Sequence, residues 1–342
     1  MRVAMYYSNS DVRVQEMPRP SIGPGELLVR IDASGICGSD VMEWYRRDRV
    51  PLVLGHEIAG EVVEVGDGVQ RFRLGQRVVA AHHVPCNTCH YCLRGRHTVC
   101  ETLRRTNFDP GGFAEYVRLP AINVDRGTFL VPEGVTMEEA SFAEPLACVI
   151  RGQRMAGVSP ADCVLVLGSG ATGLLHINLA AALGAGRVVA TDVSHFRLRM
   201  ARSFGAEVAV HASEDVPTRL RQINDGRLAD LVVLCTGAPA AVDQAFRSVE
   251  RGGTVLVFAP AEPGATIPVP INDLFFRTDV TVTTTYAGSP EDHVQALELI
   301  RSRRVRVGEM ITHRVSLAKI GRGFELVARA QDSMKVIVEP QR

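Results

Sequence analysis

Two groups of residues in the first half of the chain have the types and the spacing of metal ligands. The first group consists of four cysteines separated by short segments: Cys86, Cys89, Cys92 and Cys100. Four thiolates complete a tetrahedral zinc shell and leave no open position, as in a structural site. The neutral net charge and the absence of a recognition-helix pattern argue against a nucleic-acid-binding finger. An iron–sulfur cluster is the remaining rival interpretation of this spacing.

The second group combines a thiol, an imidazole and two carboxylates: Cys37, His56, Glu57 and Glu144. Such a mixed set leaves room for water or substrate, as catalytic zinc requires. A lone histidine is more often a packed core residue, but here a glycine precedes His56 and an acid follows it. The remaining histidines, including His82 and His83, lack such neighbours. We therefore interpret them as structural or surface residues.

The composition of the 342-residue chain is that of an ordinary globular protein large enough for two domains. Because 38 basic residues balance 38 acidic ones, we expect neither nucleic acid nor an anionic membrane as a partner. The longest apolar runs are too short to span a membrane. Five of the eight cysteines occupy proposed zinc-ligand positions, and this usage predicts a reducing, cytoplasmic location.

The pattern of apolar residues divides the chain into three segments of the α/β class. Residues 1–147 contain short β-branched runs and frequent glycines, which predict an irregular β-rich domain. Residues 148–284 alternate buried-strand patterns with helical ones, and this alternation predicts a doubly wound parallel sheet. Residues 285–342 are too few to fold alone, so we expect them to pack on the first domain.

A glycine-rich loop follows the first strand predicted in the doubly wound domain. Its glycines are Gly168, Gly170 and Gly173, and Ala171 and Thr172 open the helix that follows. In this context the loop predicts a dinucleotide site, with the pyrophosphate at the helix N-terminus. Asp192 ends the next strand and would accept bonds from the ribose hydroxyls while repelling a 2′-phosphate. The cofactor predicted is NAD rather than NADP, with Arg197 flanking the ribose.

Several of these segments together resemble the zinc-dependent medium-chain alcohol dehydrogenases, and most closely their polyol branch, typified by sorbitol dehydrogenase. The resemblance rests on residues 35–40, 51–57, 111–116 and 143–148, with the four-cysteine lobe and the glycine loop. It implies a GroES-like domain completed by the C-terminal segment, a Rossmann domain, and homodimers or homotetramers. It also implies that Cys37 and His56 are zinc ligands and that Ser39 begins a proton relay. Glu57 and Glu144 would be the carboxylates, one bound directly and one through water.

The reaction expected is oxidation of a secondary alcohol, with a polyol, cyclitol or sugar-like compound as substrate, zinc as Lewis acid and NAD as hydride acceptor. Met42 stands where relatives commonly have a histidine, and a methionine cannot carry a proton. An alternative substrate is threonine, another amino alcohol or a vicinal diol, since Glu43 could pair with an ammonium group. A non-catalytic zinc- and NADH-binding redox sensor is the alternative from another class, against which the intact ligand set argues.

Overall fold

The computed structural model describes residues 1–342, which divide into two compact units. Unit 1 comprises residues 1–147, 287–303 and 307–342. Unit 2 comprises residues 148–286 and 304–306. The second unit thus ends just beyond residue 284, where the sequence predicts the boundary, and takes in a short segment near residue 305.

The strands are, in chain order, β1 (Arg2–Ser8), β2 (Asp11–Glu16), β3 (Leu27–Gly35), β4 (Leu52–Val53), β5 (Glu57–Val65), β6 (Arg77–Ala80), β7 (Tyr116–Leu119), β8 (Thr128–Leu130), β9 (Cys163–Leu167), β10 (Arg187–Asp192), β11 (Val208–His211), β12 (Ala229–Leu234), β13 (Val249–Val257), β14 (Thr281–Thr284), β15 (Ile311–Ser316) and β16 (Lys335–Glu339). The helices are α1 (Glu43–Arg46), α2 (His90–Leu93), α3 (Glu101–Arg105), α4 (Ala121–Gly127), α5 (Met137–Ala140), α6 (Ala143–Ala156), α7 (Ala171–Ala182), α8 (His195–Ser203), α9 (Val216–Ile223), α10 (Pro239–Ser248), α11 (Ile271–Phe275), α12 (Pro290–Arg301) and α13 (Ile320–Arg329).

Unit 1 is built on a seven-stranded sheet and a three-stranded sheet. The larger sheet has the order β15-β16-β3-β5-β6-β8, with β7 paired to β3, and the smaller has the order β2-β1-β4. Their apolar faces enclose a core in which Tyr6, Phe113 and Phe324 are fully buried and in ring contact. Short strands with frequent turns confirm the irregular β-rich domain predicted from the sequence.

The last strand of the chain completes the large sheet of unit 1. β16 pairs antiparallel with β3, so that Ile337 lies opposite Gly35. β3 pairs on its other side with β5, so that Gly35 also lies opposite Glu57. The ends of three strands that are distant in sequence therefore meet around Gly35. This meeting point positions the candidate metal ligands described below.

Unit 2 contains a six-stranded parallel sheet of order β11-β10-β9-β12-β13-β14. Numbered within the unit, the order is 3-2-1-4-5-6, that of a dinucleotide-binding doubly wound fold. β9 is buried along its whole length, as expected for a strand with both faces covered. The strand order reverses between β9 and β12, and ligands bind outside the carboxyl ends of the strands at such a point. The glycine loop begins there, directly after β9.

No helix in the structure has the length and the apolar character needed to cross a membrane.

Candidate active site

Three of the four residues proposed as catalytic zinc ligands converge in unit 1. Cys37 follows the end of β3, while His56 and Glu57 lie at the start of β5, and the two strands are paired at this point. One donor atom from each of the three residues lies within 4.8 Å of the others. A thiol, an imidazole and a carboxylate are ligands that zinc accepts, and three protein donors leave a fourth position open. The donor set therefore fits a catalytic zinc ion.

Asp40 supports this cluster from a fully buried position. Its Oδ1 lies 3.5 Å from Nδ1 of His56, and its Oδ2 accepts a hydrogen bond of 3.0 Å from the amide of Cys37. Burial alone would raise the pKa of Asp40, but His56 and the Cys37 amide bring it below its ordinary value. Because Nδ1 faces Asp40, Nε2 of His56 is the nitrogen available to a metal. Asp40 is not among the site residues predicted from the sequence, although its place three residues after Cys37 is a usable signal.

Lys335 is a second partner of the cluster and is not among the site residues predicted from the sequence. Its ammonium forms a salt bridge with Glu57, and the two side chains are only 4% and 1% exposed. Burial alone would lower the pKa of Lys335, but Glu57, with Cys37 and Glu144, raises it above its ordinary value. A side chain on Gly35 would overlap the Glu57 carboxylate, so the glycine makes room for this pair.

Glu144 lies in the first turn of α6 and outside the group of three converging donors. Its Oε1 is 4.0 Å from Nδ1 of His82, and its charge acts on Lys335. The structure therefore brings Glu57 into the ligand cluster and places Glu144 beside it. Ser39, the proposed relay residue, is half-buried, and its amide donates to the sulfur of Cys37 at 3.5 Å.

A pair of histidines, interpreted from the sequence as structural or surface residues, borders the cluster. The His82 ring lies 4.9 Å from the His56 ring and 3.8 Å from the His83 ring, measured between centroids. Burial, and then the neighbouring His83 and His56, lower the pKa of His82 well below its ordinary value, so its ring is neutral. Burial lowers the pKa of His83 to about 4, and its Nδ1 is hydrogen-bonded to the carbonyl of Thr106.

The four proposed structural ligands also converge within unit 1. The sulfur of Cys86 lies 4.0 Å from that of Cys92 and 3.6 Å from that of Cys100, and Cys89 lies 3.6 Å from Cys92. Hydrogen bonds from the amide and hydroxyl of Thr88 and from the amide of Cys89 lower the pKa of Cys86 to about 5. Four sulfurs clustered at these distances fit a closed zinc site.

The glycine loop and Asp192 form a connected group in unit 2. Gly168 has a φ of +93°, which favours glycine, and a side chain on Gly173 would overlap the Gly168 carbonyl. Ala171 and Thr172 begin α7, where their amide groups lack intrahelical partners and can bind phosphate.

Asp192 ends β10 and accepts backbone hydrogen bonds of 2.8 Å from Ser169 and from Ser194. Nη1 of Arg197 lies 3.9 Å from its carboxylate. The predicted ribose-binding acid therefore adjoins the phosphate loop, and the predicted arginine adjoins the acid.

Comparison with known proteins gives concordant matches. Residues 23–126 match the family model for the alcohol dehydrogenase GroES-like domain, and residues 171–302 match that for zinc-binding dehydrogenase. Sorbitol dehydrogenase of Gallus gallus is 31% identical over 333 residues, which cover 94% of this chain and 91% of the relative. L-threonine 3-dehydrogenase of Pyrococcus furiosus is 34% identical over 332 residues, which cover 94% of this chain and 92% of the relative.

A solved structure extends the likeness to the whole fold. The alcohol dehydrogenase from Thermus sp. ATN1 superimposes with a TM-score of 0.86 at 31% identity, and 99% of each chain is covered. The first family model lies in unit 1, which holds the ligand cluster, and the second covers residues 171–286 of unit 2 and residues 287–302 of unit 1. The chain therefore belongs to the zinc-dependent medium-chain alcohol dehydrogenases, in their sorbitol dehydrogenase-like branch, and has their GroES-like and Rossmann domains.

Proposed function

We propose that this alcohol dehydrogenase oxidises a secondary alcohol group of a polyol, cyclitol or sugar-like compound with NAD. The convergence of Cys37, His56 and Glu57 carries the proposal, because three protein donors leave one position for a substrate oxygen. Zinc held there supplies a Lewis acid to the alcohol oxygen, and NAD at the glycine loop supplies the hydride acceptor. A sorbitol dehydrogenase among the relatives supports a polyol substrate.

Each residue around the cluster has a proposed task in this reaction. Asp40 fixes the orientation of the His56 ring, and Lys335 holds the Glu57 carboxylate. Ser39 accepts the proton of the substrate hydroxyl and passes it onward. Because Met42 has no exchangeable proton, the relay continues through water or another group rather than through that side chain. Asp192 selects NAD, since a carboxylate repels the 2′-phosphate of NADP.

An amino-alcohol substrate is the second candidate, since an L-threonine 3-dehydrogenase is also among the relatives. The geometry of Glu43 argues against the form of this hypothesis in which Glu43 pairs with an ammonium group. Its Oε1 accepts a hydrogen bond of 2.7 Å from the amide of Asn9, and this contact is exposed. We expect replacement of Glu43 by Gln to affect an amine substrate and its neutral analogue equally.

The test of the proposed function is NADH production by the zinc-loaded protein over a panel of polyols, cyclitols, amino alcohols and simple alcohols. NADP is run in parallel, and a zinc-stripped sample is the control. Zinc-dependent oxidation of a polyol or cyclitol with NAD is the expected result. Binding of zinc and NADH without oxidation of any alcohol would instead support the redox-sensor alternative.

We also propose that the chain forms homodimers or homotetramers through unit 2. β14 is an edge strand of the parallel sheet, and Val282 on it is exposed. Exposed Ile271 and Phe276 lie in the segment just before it. Unpaired strand edges and exposed apolar side chains favour association. Light scattering after size exclusion should give a mass above that of one chain, and Val282→Lys should reduce this mass.

A cytoplasmic location of the protein stays a prediction.

A further inference from the structure

His82 borders the ligand cluster without being one of the three converging donors. It follows β6, which pairs with β5 so that Ala80 lies opposite Ile58, and this pairing brings residue 82 next to His56. The two rings are 4.9 Å apart, and Nδ1 of His82 is 4.0 Å from Oε1 of Glu144. A substrate oxygen bound by the cluster therefore has His82 as a near neighbour.

The surroundings of His82 hold its ring but leave one nitrogen without a hydrogen bond. Phe108 meets the ring edge-on at 6.1 Å, and His83 packs against it while its own Nδ1 is occupied by the carbonyl of Thr106. Nδ1 of His82 is buried and has no hydrogen-bond partner in the protein. Buried polar atoms are seldom left in this state, because the loss of solvation is not offset. We therefore expect the bound substrate to supply a hydrogen-bond partner for this nitrogen.

The chemistry of the site indicates what this partner is. An imidazole can donate at one nitrogen and accept at the other, which matches a hydroxyl group. An ammonium group is a poorer match, because the guanidinium of Arg46 lies 3.7 Å from Asp40 and its positive charge also acts on His82. The short distance from His82 to His56 favours a hydroxyl on the carbon next to the one oxidised over a hydroxyl farther along the substrate.

We propose that His82 hydrogen-bonds a second hydroxyl of the substrate, on the carbon adjacent to the reacting one, and thereby selects vicinal diols and polyols over simple alcohols. This inference rests on the proposed dehydrogenase function and names the substrate class of the same site. His82 is in this role a substrate-binding residue that discriminates between substrates, with no part in moving the hydride.

The test compares butane-2,3-diol with butan-2-ol, which differ by one vicinal hydroxyl. For wild type, His82→Phe, His82→Ala and His82→Gln, kcat/KM is measured with each alcohol and NAD. We expect the ratio of the diol value to the mono-alcohol value to fall about 10- to 100-fold in His82→Phe and His82→Ala, because a hydroxyl is left unpaired. The change should lie mainly in KM for the diol. His82→Gln retains a donor and an acceptor and should recover most of the ratio.

His313→Phe is the matched control, because His313 is a half-buried histidine of the same unit that lies in β15, outside both proposed ligand groups. It should leave the ratio at the wild-type value. Zinc content and circular dichroism of each variant report whether the site and the fold are retained. An unchanged ratio in His82→Phe and His82→Ala, or an equal loss with both alcohols, would overturn the inference.

The proposed function can fail separately from this inference. A wild-type enzyme that oxidises butan-2-ol but not butane-2,3-diol would retain the dehydrogenase function and refute the role of His82. A wild-type protein that oxidises no alcohol on the wider panel would refute both.

Discussion

Lys335 and Glu57 form a salt bridge that is almost completely buried and lies beside His56, a proposed zinc ligand. Glu57 follows His56 at the start of β5, while Lys335 opens the last strand of the chain. The bridge crosses above Gly35 of β3, the strand that separates the two. The C-terminal segment therefore contributes a charge to the candidate active site as well as a strand to the sheet.

Replacing Lys335 by Met should destabilise unit 1 by about 3–5 kcal/mol, because it leaves the Glu57 carboxylate buried and unpaired. The double variant Lys335→Met/Glu57→Gln should recover part of this loss. Urea unfolding of the zinc-free protein is the measurement, so that altered metal binding does not contribute. Arg322→Met removes an exposed ion pair with Glu325 and should cost less than about 1 kcal/mol. If Lys335→Met and Arg322→Met lowered the free energy of unfolding equally, burial of the Lys335–Glu57 pair would not explain its effect on stability.

Gly35→Ala should disturb the same pair by steric overlap. The added methyl group would overlap the Glu57 carboxylate and lie 2.7 Å from Cε of Lys335. We expect a loss of about 1–3 kcal/mol, typical of overpacking, with reduced zinc content. Gly321→Ala is the control, because that glycine lies in α13 with nothing within 4 Å of the added atom. The same urea unfolding and metal analysis should show Gly321→Ala to be neutral or slightly stabilising.

The two proposed zinc sites should be separable by mutation. Cys100→Ser should remove the structural zinc and lower the thermal midpoint by about 5 °C or more, because the lobe has only a small apolar cluster of its own. Cys37→Ala should remove the other zinc and abolish turnover with a smaller effect on the midpoint. Metal analysis by mass spectrometry, with calorimetry, checks both. Retention of all zinc in Cys100→Ser would contradict the four-sulfur site.

Asp192→Ala should shift the cofactor preference toward NADP. The substitution removes the negative charge that repels a 2′-phosphate. It also removes the carboxylate that lies 3.9 Å from Nη1 of Arg197, so that the guanidinium can pair with the phosphate instead. We expect the ratio of kcat/KM with NAD to that with NADP to fall by at least about tenfold. The measurement uses one alcohol and both cofactors. Arg197→Ala in the Asp192→Ala background should reverse the gain in kcat/KM with NADP. If that gain persists, Arg197 does not bind the 2′-phosphate.

His176 should make the stability of unit 2 depend on pH. It is buried between Gln153 and Phe258, and burial lowers its pKa to about 3, against about 6.5 in an unfolded chain. Between these values the unfolded state binds more protons, so stability rises with pH and is lost as the pH falls from about 6.5 toward 3. The slope from this group is at most about 1.4 kcal/mol per pH unit.

Urea unfolding at pH 5 and pH 7.5 measures this dependence. His176→Leu should flatten it, whereas His195→Leu, which replaces an exposed histidine of the same unit, should leave it as in wild type. If the free energy of unfolding depends on pH equally in wild type and His176→Leu, groups other than His176 determine that dependence.

Residues that act through their sequence neighbours could be recognised before the structure was known, and residues that act through tertiary neighbours could not. Residues 285–342 could be assigned to the first domain because they are too few to fold alone, and β16 does pair with β3 of that domain. The role of Lys335 escapes prediction, since Glu57 becomes its neighbour only through the pairing of β16 with β3.

The same reason applies to His82, whose proximity to His56 depends on the pairing of β6 with β5. Cys37, His56 and Glu57 could be singled out because glycines and an acid beside them form a recognisable motif. The parallel sheet could be predicted because strand and helix periodicities alternate along 148–284.

The place of β16 in the middle of the large sheet has a consequence for biosynthesis. A ribosome delivers the chain from its N-terminus, so β3 and β5 leave the exit tunnel long before β16 does. Until then, Ser34 and Gly35 of β3 have no β16 partner and the Glu57 carboxylate lacks the Lys335 counter-charge. The three ligands are therefore synthesised before the lysine that neutralises Glu57, and the charge of the cluster changes when β16 joins the sheet.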